Sequence, residues 1–276
     1  MTTSNERGAM RTLNLVRDLP NKLRRNYSLP LAHALVRTHT TDQYIVSFPR
    51  SGSTWLRTIL AGIMDPGAGY EPEVFNRILP GVSGRRLPLV WSLRDPRIIH
   101  SHTTFISSLP KAVYVVRDGR DSLVSFYHYS TTRNGIDMPF EEWFDLYCRR
   151  WYGPRWHDHV ESWLTKGKQK LGAALMVLRF EDLKADPVGQ IHQVTDFLGM
   201  SVDHQAIHHA VEMASLDQAR KREAKVFGNL ETDNKSFYRG GRIGQYQEYL
   251  RGDLYDRFMR MSGHALERAG YESDAR

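Results

Sequence analysis

Apolar residues fall along this chain in two alternating rhythms: short unbroken runs and stripes at helical spacing. Tyr44 to Phe48, Ala112 to Val116 and Ala174 to Phe180 are compact β-favouring runs, and Arg97 to Ser101 is a shorter one. Runs of that length bounded by polar turns read as buried strands. Between them, Trp55, Leu56, Ile59, Leu60 and Ile63 recur as one face of a helix. Further helices are predicted over about Asp121 to Tyr129, Val188 to Leu198 and Asp203 to Met213. Residues 140 to 165 also read as helical, with Phe140, Trp143, Phe144 and Tyr147, then Trp156, Val160 and Trp163 after a break at Gly153-Pro154. Strands alternating with helices predict an α/β fold with a central parallel sheet flanked by helices. Ligands in such sheets bind beyond the carboxyl ends of the strands.

With 276 residues the chain suits one large domain over 41–276, preceded by a basic arm over 1–40. Hydrophobic residues at 41% and charged residues at 25% are enough for a full core. No apolar run is long enough to span a membrane, and the N-terminus lacks a signal-peptide core. Cys148 is the only cysteine, which excludes an intramolecular disulfide or a cysteine zinc cluster. A cytoplasmic protein is the expectation. Lys and Arg exceed Asp and Glu by 38 − 31 = 7, a surplus that attracts anions. Part of it sits in the arm, where over residues 7 to 37 Arg7, Arg11, Arg17, Lys22, Arg24, Arg25 and Arg37 face one acid, Asp18. With Leu13, Leu15, Val16, Leu19 and Leu23 between them, the arm reads as a solvated helix packed on the domain, or as an amphipathic peripheral contact with a membrane or an acidic acceptor.

The segment Tyr-Ile-Val-Ser-Phe-Pro-Arg-Ser-Gly-Ser-Thr-Trp-Leu-Arg, residues 44 to 57, carries the strongest chemistry. Pro49 ends the strand, Gly52 allows a tight turn, and Ser53 or Thr54 is placed to cap the following helix. Strand, turn and helix N-terminus gather backbone N–H groups around one point, where they favour an anion. Arg50 adds a positive charge, and Ser51, Ser53 and Thr54 add hydroxyls. A Walker A loop would need a Lys after its last Gly, and none follows here. The segment instead resembles the 5′-phosphosulfate loop of sulfotransferases that use 3′-phosphoadenosine 5′-phosphosulfate (PAPS), typically Pro-Lys-Ser-Gly-Thr-Thr-Trp. Pro49, Ser51, Gly52, Thr54 and Trp55 match, and Arg50 replaces the Lys. The resemblance implies that Arg50, Ser51, Gly52, Ser53, Thr54 and Trp55 hold the 5′ end of PAPS and of its product, 3′-phosphoadenosine 5′-phosphate (PAP).

Further segments carry the same resemblance. Arg117 follows a strand, and Ser125 comes eight residues later, the interval of the family's 3′-phosphate segment. Asp121 and Tyr127-His128 also match. Phe180-Glu181-Asp182-Leu183 is similar to the family's Tyr-Glu-Asp, with Phe180 toward adenine, and Leu216 stands where the family has an aromatic adenine partner. Trp55 is then left as the stacking ring. Arg239, Gly240, Gly241 and Gly244 lie in a glycine-rich loop similar to the family's Arg-Lys-Gly-x-x-Gly-x-Trp, with Gly240 in place of Lys and Tyr246 in place of Trp. Tyr152-Gly153, Trp156, His159-Val160 and Trp163 are similar to its tryptophan-rich helix, which reads as core. The likeness spans roughly residues 40 to 260.

In Pro96-Arg97-Ile98-Ile99-His100-Ser101-His102 the resemblance places His102 at the family's general base and His100 at its Lys, beside the reacting sulfuryl group. Imidazole suits a hydroxyl proton near neutral pH. No metal is required, because fixed cations and backbone donors can neutralise the leaving phosphate, with Arg50 foremost. The expected acceptor is a small molecule, lipid or saccharide carrying a hydroxyl or amine, and not a nucleic acid. Two other readings stand beside this one, a kinase-like phosphoryl transferase and a non-enzymatic basic anion-binding protein. The family's dimer motif is not recognisable after Tyr249, which leaves the oligomeric state open.

Overall fold

Four short strands carry the frame: β1 (Gln43–Ser47), β2 (Ile98–Ser101), β3 (Ala112–Val116) and β4 (Leu175–Arg179). The computed structural model describes residues 36, 38–82, 87–132, 137–150, 153–227 and 240–272. The basic arm up to residue 35, together with Tyr152 and Arg239, lies outside the described residues. The strands pair in parallel, in the order β2-β1-β3-β4. Chain order and sheet order part company at β1, which has β2 on one side and β3 on the other. Strand order reverses there, and such a switch point opens a crevice at the carboxyl edge.

The period of two along each strand sorts its side chains between two cores. Tyr44, Val46, Ile99, Tyr114 and Val116 join one core, filled by Trp143, Phe144, Tyr147, Trp156 and Trp163. Ile45, Ile98, Val113, Val115 and Leu178 join the other, with Leu56, Ile59 and Leu60. Both faces of β1, β2 and β3 are therefore covered, as unbroken apolar strand sequences require, while Val177 on the edge strand β4 stays exposed.

The helices are α1 (Ser53–Met64), α2 (Pro72–Ile78), α3 (Leu87–Ser92), α4 (Gly119–Thr132), α5 (Phe140–Cys148), α6 (Trp156–Glu161), α7 (Lys168–Leu171), α8 (Phe180–Ala185), α9 (Pro187–Leu198), α10 (His204–Met213), α11 (Leu216–Phe227) and α12 (Gly252–Arg268). A π-helical turn, Ser162–Gly167, joins α6 to α7. The expected strands and helices are present with ends moved by a few residues, and α4 runs longer than predicted. The sequence pattern did not bring out α11 and α12. Helix α12 lays Phe258, Ala265 and Leu266 into the core with Leu254, Tyr255, Met259 and Met261 packed beside them, a stripe at helical spacing that the charged residues between its apolar positions obscured. No described helix is long and apolar enough to cross a membrane.

Candidate active site

Because the strands are parallel, their carboxyl ends share one edge, and the expected site residues lie on it. Phe48 to Gly52 leave β1, His102 follows β2, Arg117 follows β3, and Phe180 follows β4. At the end of β1 the chain turns through Arg50 at φ +69° and Gly52 at φ +97°. Gly52 itself takes the cap position of α1, and no side chain caps the helix, so neither Ser53 nor Thr54 serves as its N-cap. The left-handed glycine turns the chain directly into the helix, which makes Ser53 its first residue. Its Oγ accepts from Ser47 Oγ at 2.9 Å and lies 3.2 Å from His100 Nε2. Among the described residues no side chain caps this first turn, and the turn contains no acidic residue of its own, a condition in which a helix start favours an anion.

The second segment closes on the first. Arg50 Nε donates to Ser125 Oγ at 3.3 Å, and its guanidinium stands 5.1 Å over the Tyr129 ring. Ser51 Oγ lies 3.4 Å from Ser122 Oγ. Arg117 donates to the Arg242 carbonyl at 2.9 Å and reaches toward the Arg50 carbonyl at 3.5 Å. Burial lowers its pKa, while Asp121, Glu181 and Asp118 hold the charge in place. Asp121 also draws in the C-terminal loop, accepting from the amides of Gly244 at 2.8 Å and Tyr246 at 3.0 Å. Its own carboxyl is raised by burial, against the pull of Arg117 and those amides.

Phe180 is wedged at the centre. A Cβ on Gly52 would fall 2.4 Å from its Cδ2, and one on Gly241, at φ +54°, 2.8 Å from its Cζ. Arg117 lies 4.8 Å over the Phe180 ring, and Trp55 meets that ring edge-on at 6.2 Å. Leu216 reaches the Gly240 backbone, its Cδ2 3.9 Å from where a Gly240 Cβ would stand. Two buried donors on this wall, Arg117 Nε and Trp55 Nε1, have no acceptor among the described residues. Together with the cationic groups and the first-turn amides, they fit an anionic nucleotide.

The His102 ring is oriented from β1. Its Nδ1 lies 2.8 Å from the Ser47 carbonyl, which can only accept. Nδ1 therefore carries the proton, and in the neutral ring Nε2 carries the lone pair. Burial, with the positive charges of Arg57 and Arg50, pushes the His102 pKa down to about 4, against the Ser47 hydrogen bond. The following residues are strapped in place: Trp163 Nε1 donates to the Thr103 carbonyl at 2.9 Å, and the Phe105 amide to Ser162 Oγ at 3.0 Å. His100, buried beneath, meets His102 at 4.5 Å between ring centres and turns its Nε2 onto Ser53.

Sequence reasoning missed Ser47, whose carbonyl sets His102 and whose hydroxyl sets Ser53. The signal was a polar residue inside the apolar run Tyr-Ile-Val-Ser-Phe. It also missed Lys184, whose Nζ donates to the Gly241 carbonyl at 2.9 Å, and only the folded loop reveals that partner.

Residues 40–270 match the sulfotransferase domain family. Sulfotransferase 1B1 of Mus musculus is 26% identical over 257 residues, which cover 82% of this chain and 84% of the relative. The 3-alpha-hydroxysteroid sulfotransferase of Cavia porcellus is 26% identical over 234 residues, covering 76% and 78% of the two chains. Among solved structures, a mouse sulfotransferase complexed with PAP shares the fold with a TM-score of 0.66 at 22% identity, over 90% of this chain and 92% of that one. The match runs the length of the sheet and of every strand-end loop described above: the chain belongs to the PAPS-dependent sulfotransferase family.

Proposed function

We propose that this enzyme transfers a sulfuryl group from PAPS to the hydroxyl of a small-molecule acceptor, with His102 as general base. The observation that carries this reading is the meeting of the Arg50–Trp55 turn, Arg117 and His102 on one sheet edge. Bound PAPS would supply the sulfuryl group and a phosphate able to leave. Arg50, the hydroxyls of Ser51 and Thr54 and the first-turn amides of α1 would hold that phosphate and neutralise the charge growing on it. Arg117 and Ser125, with Arg239, Gly240 and Gly241 of the C-terminal loop, would hold the 3′-phosphate, a guanidinium giving two parallel hydrogen bonds. Trp55, Phe180 and Leu216 would line the adenine side. His102 Nε2 takes the acceptor's proton, its lone pair already set by the Nδ1–Ser47 hydrogen bond.

His100 acts differently from a Lys at its position, ordering Ser53 at the helix start. The Cavia porcellus relative is named for a hydroxysteroid, which favours an alcohol on an apolar frame. Half-buried Phe105, Tyr127 and Tyr129 suit such an acceptor, whereas Trp143 is fully buried and belongs to the core. The test is transfer of labelled sulfate from PAPS to a panel of steroid alcohols and phenols. Transfer that needs both PAPS and His102 supports the proposal. No transfer to any of them, together with no measurable binding of PAP, sinks it.

A further inference from the structure

Three histidines outside the active site stand rim to rim on the surface. His204 and His208 lie one turn apart on α10, and His192 reaches them from the neighbouring helix α9. His204 and His208 are exposed, and His192 is half-exposed. His204 Nδ1 is 2.6 Å from His192 Nε2, and His204 Nε2 is 2.9 Å from His208 Nε2. Ring centres are 4.8 and 4.4 Å apart.

We propose that His204 and His208 form a surface chelate for a divalent late first-row metal ion, with His192 as the outer partner that sets the His204 tautomer. A neutral imidazole has one N–H and one lone pair, so His204 cannot offer lone pairs at both nitrogens. If its Nδ1–H donates to His192 Nε2, the His204 lone pair is at Nε2, facing His208. That is the arrangement of metal-binding histidines, whose second nitrogen donates to an outer acceptor. His208 presents its own Nε2 lone pair by carrying its proton on Nδ1, so binding needs no net proton loss from either ring. His192 meets the far nitrogen of the His204 ring and so supports the chelate without adding a third ligand. Water fills the remaining positions.

The donor pair also speaks for the class of ion. Two nitrogens about 2.05 Å from a metal stand about 2.9 Å apart at a right angle and about 3.3 Å apart at a tetrahedral angle. The 2.9 Å between the two Nε2 atoms is also an ordinary hydrogen-bond length, and either angle is reached from it by ring movements of under about 0.5 Å. Zn²⁺ would need the rings to spread slightly. An all-imidazole donor pair does not suit Mg²⁺ or Ca²⁺. Another group of ligand-type residues, His39, Asp42 and Asp95, lacks such an opening, because both Asp42 oxygens already accept from Arg97 at 2.7 Å.

The experiment uses the full chain without a purification tag, titrated with nickel chloride by calorimetry, with magnesium chloride as control. One nickel ion should bind per chain and raise the melting temperature, since an ion bound only by the folded state stabilises it. His208→Ala and His204→Ala should each weaken nickel binding at least tenfold. His192→Ala should weaken it by about tenfold or more, the usual effect of removing an outer partner. His192→Gln, which keeps an accepting oxygen, should retain more of the affinity than His192→Ala. Sulfotransferase turnover should be unchanged in all four variants. Wild-type nickel affinity in either His204→Ala or His208→Ala overturns the proposal, as does an equal response to magnesium or no saturable nickel binding by the parent chain.

Discussion

The two ends of the proposed nucleotide groove are built in opposite ways. The 5′ end is local: eight consecutive residues, Phe48 to Trp55, give the strand exit, the left-handed turn and the helix start. The 3′ end is assembled from afar, with Arg117 donating to Arg242 across 125 residues of chain and Asp121 holding the Gly244 and Tyr246 amides. One end depends on backbone conformation and the other on buried charge. Substitutions at the local end should therefore disturb shape and chemistry together, and those at the assembled end should disturb 3′-phosphate selectivity with little else.

The largest effect belongs to the local end, which orients His102 through the Ser47 carbonyl. His102→Ala should lower turnover by about 10²–10⁴-fold, the usual share of general-base catalysis, and leave PAP affinity within about twofold. Single-turnover kinetics beside a PAP titration separates the two quantities. Gly52→Ala comes next. Its methyl would meet Phe180 at a backbone angle of +97°, where strain costs about 1–3 kcal/mol. A melting temperature several degrees lower and a large loss of PAP affinity are expected together by calorimetry. Loss of one without the other would break the link between turn shape and binding.

Asp121→Asn probes the assembled end. It removes the charge facing Arg117 and keeps an acceptor for only one of the two loop amides, turning an NH2 toward the other, and PAP should bind at least tenfold more weakly while adenosine 5′-phosphate is affected less. Equal loss for both nucleotides would mean that Asp121 supports the whole groove. The smallest effect is in pH. His102 is basic only above its pKa, and lowering that value to about 4 moves the acid limb of kcat/KM downward from the ordinary imidazole value. Between pH 8 and about 5.5, kcat/KM should change by less than about twofold, as a pH profile would show. A half-loss near pH 6.5 would mean that the ring is not desolvated.

The same contrast explains what could be read in advance. The β1–turn–α1 segment was legible because the signals that set its backbone are local: an apolar run, Pro49, Gly52 and helical spacing. Arg117 and Ser125 were legible as an interval on one strand and helix. The wedge of Phe180 between Gly52 and Gly241 was not, because those three residues meet only after β4 pairs with β3 and the C-terminal loop folds back. The cap at Gly52 was misread since Ser and Thr are the usual caps, and only the sheet edge shows that Ser53 is taken by Ser47 and His100. Helix α11 was hidden by its polar composition, and α12 by the charged residues set between the apolar positions of its stripe.

The decisive measurement is the affinity of the enzyme for PAP against adenosine 5′-phosphate, in the parent chain and in Arg117→Ala. A charge-assisted, bidentate grip on the 3′-phosphate is worth about 1.5–3 kcal/mol, or tens of fold. PAP should therefore bind at least tenfold more tightly in the parent, and Arg117→Ala should erase most of that margin while adenosine 5′-phosphate binds as before. Equal affinity for the two nucleotides in the parent chain, or an unchanged margin without Arg117, would contradict the account.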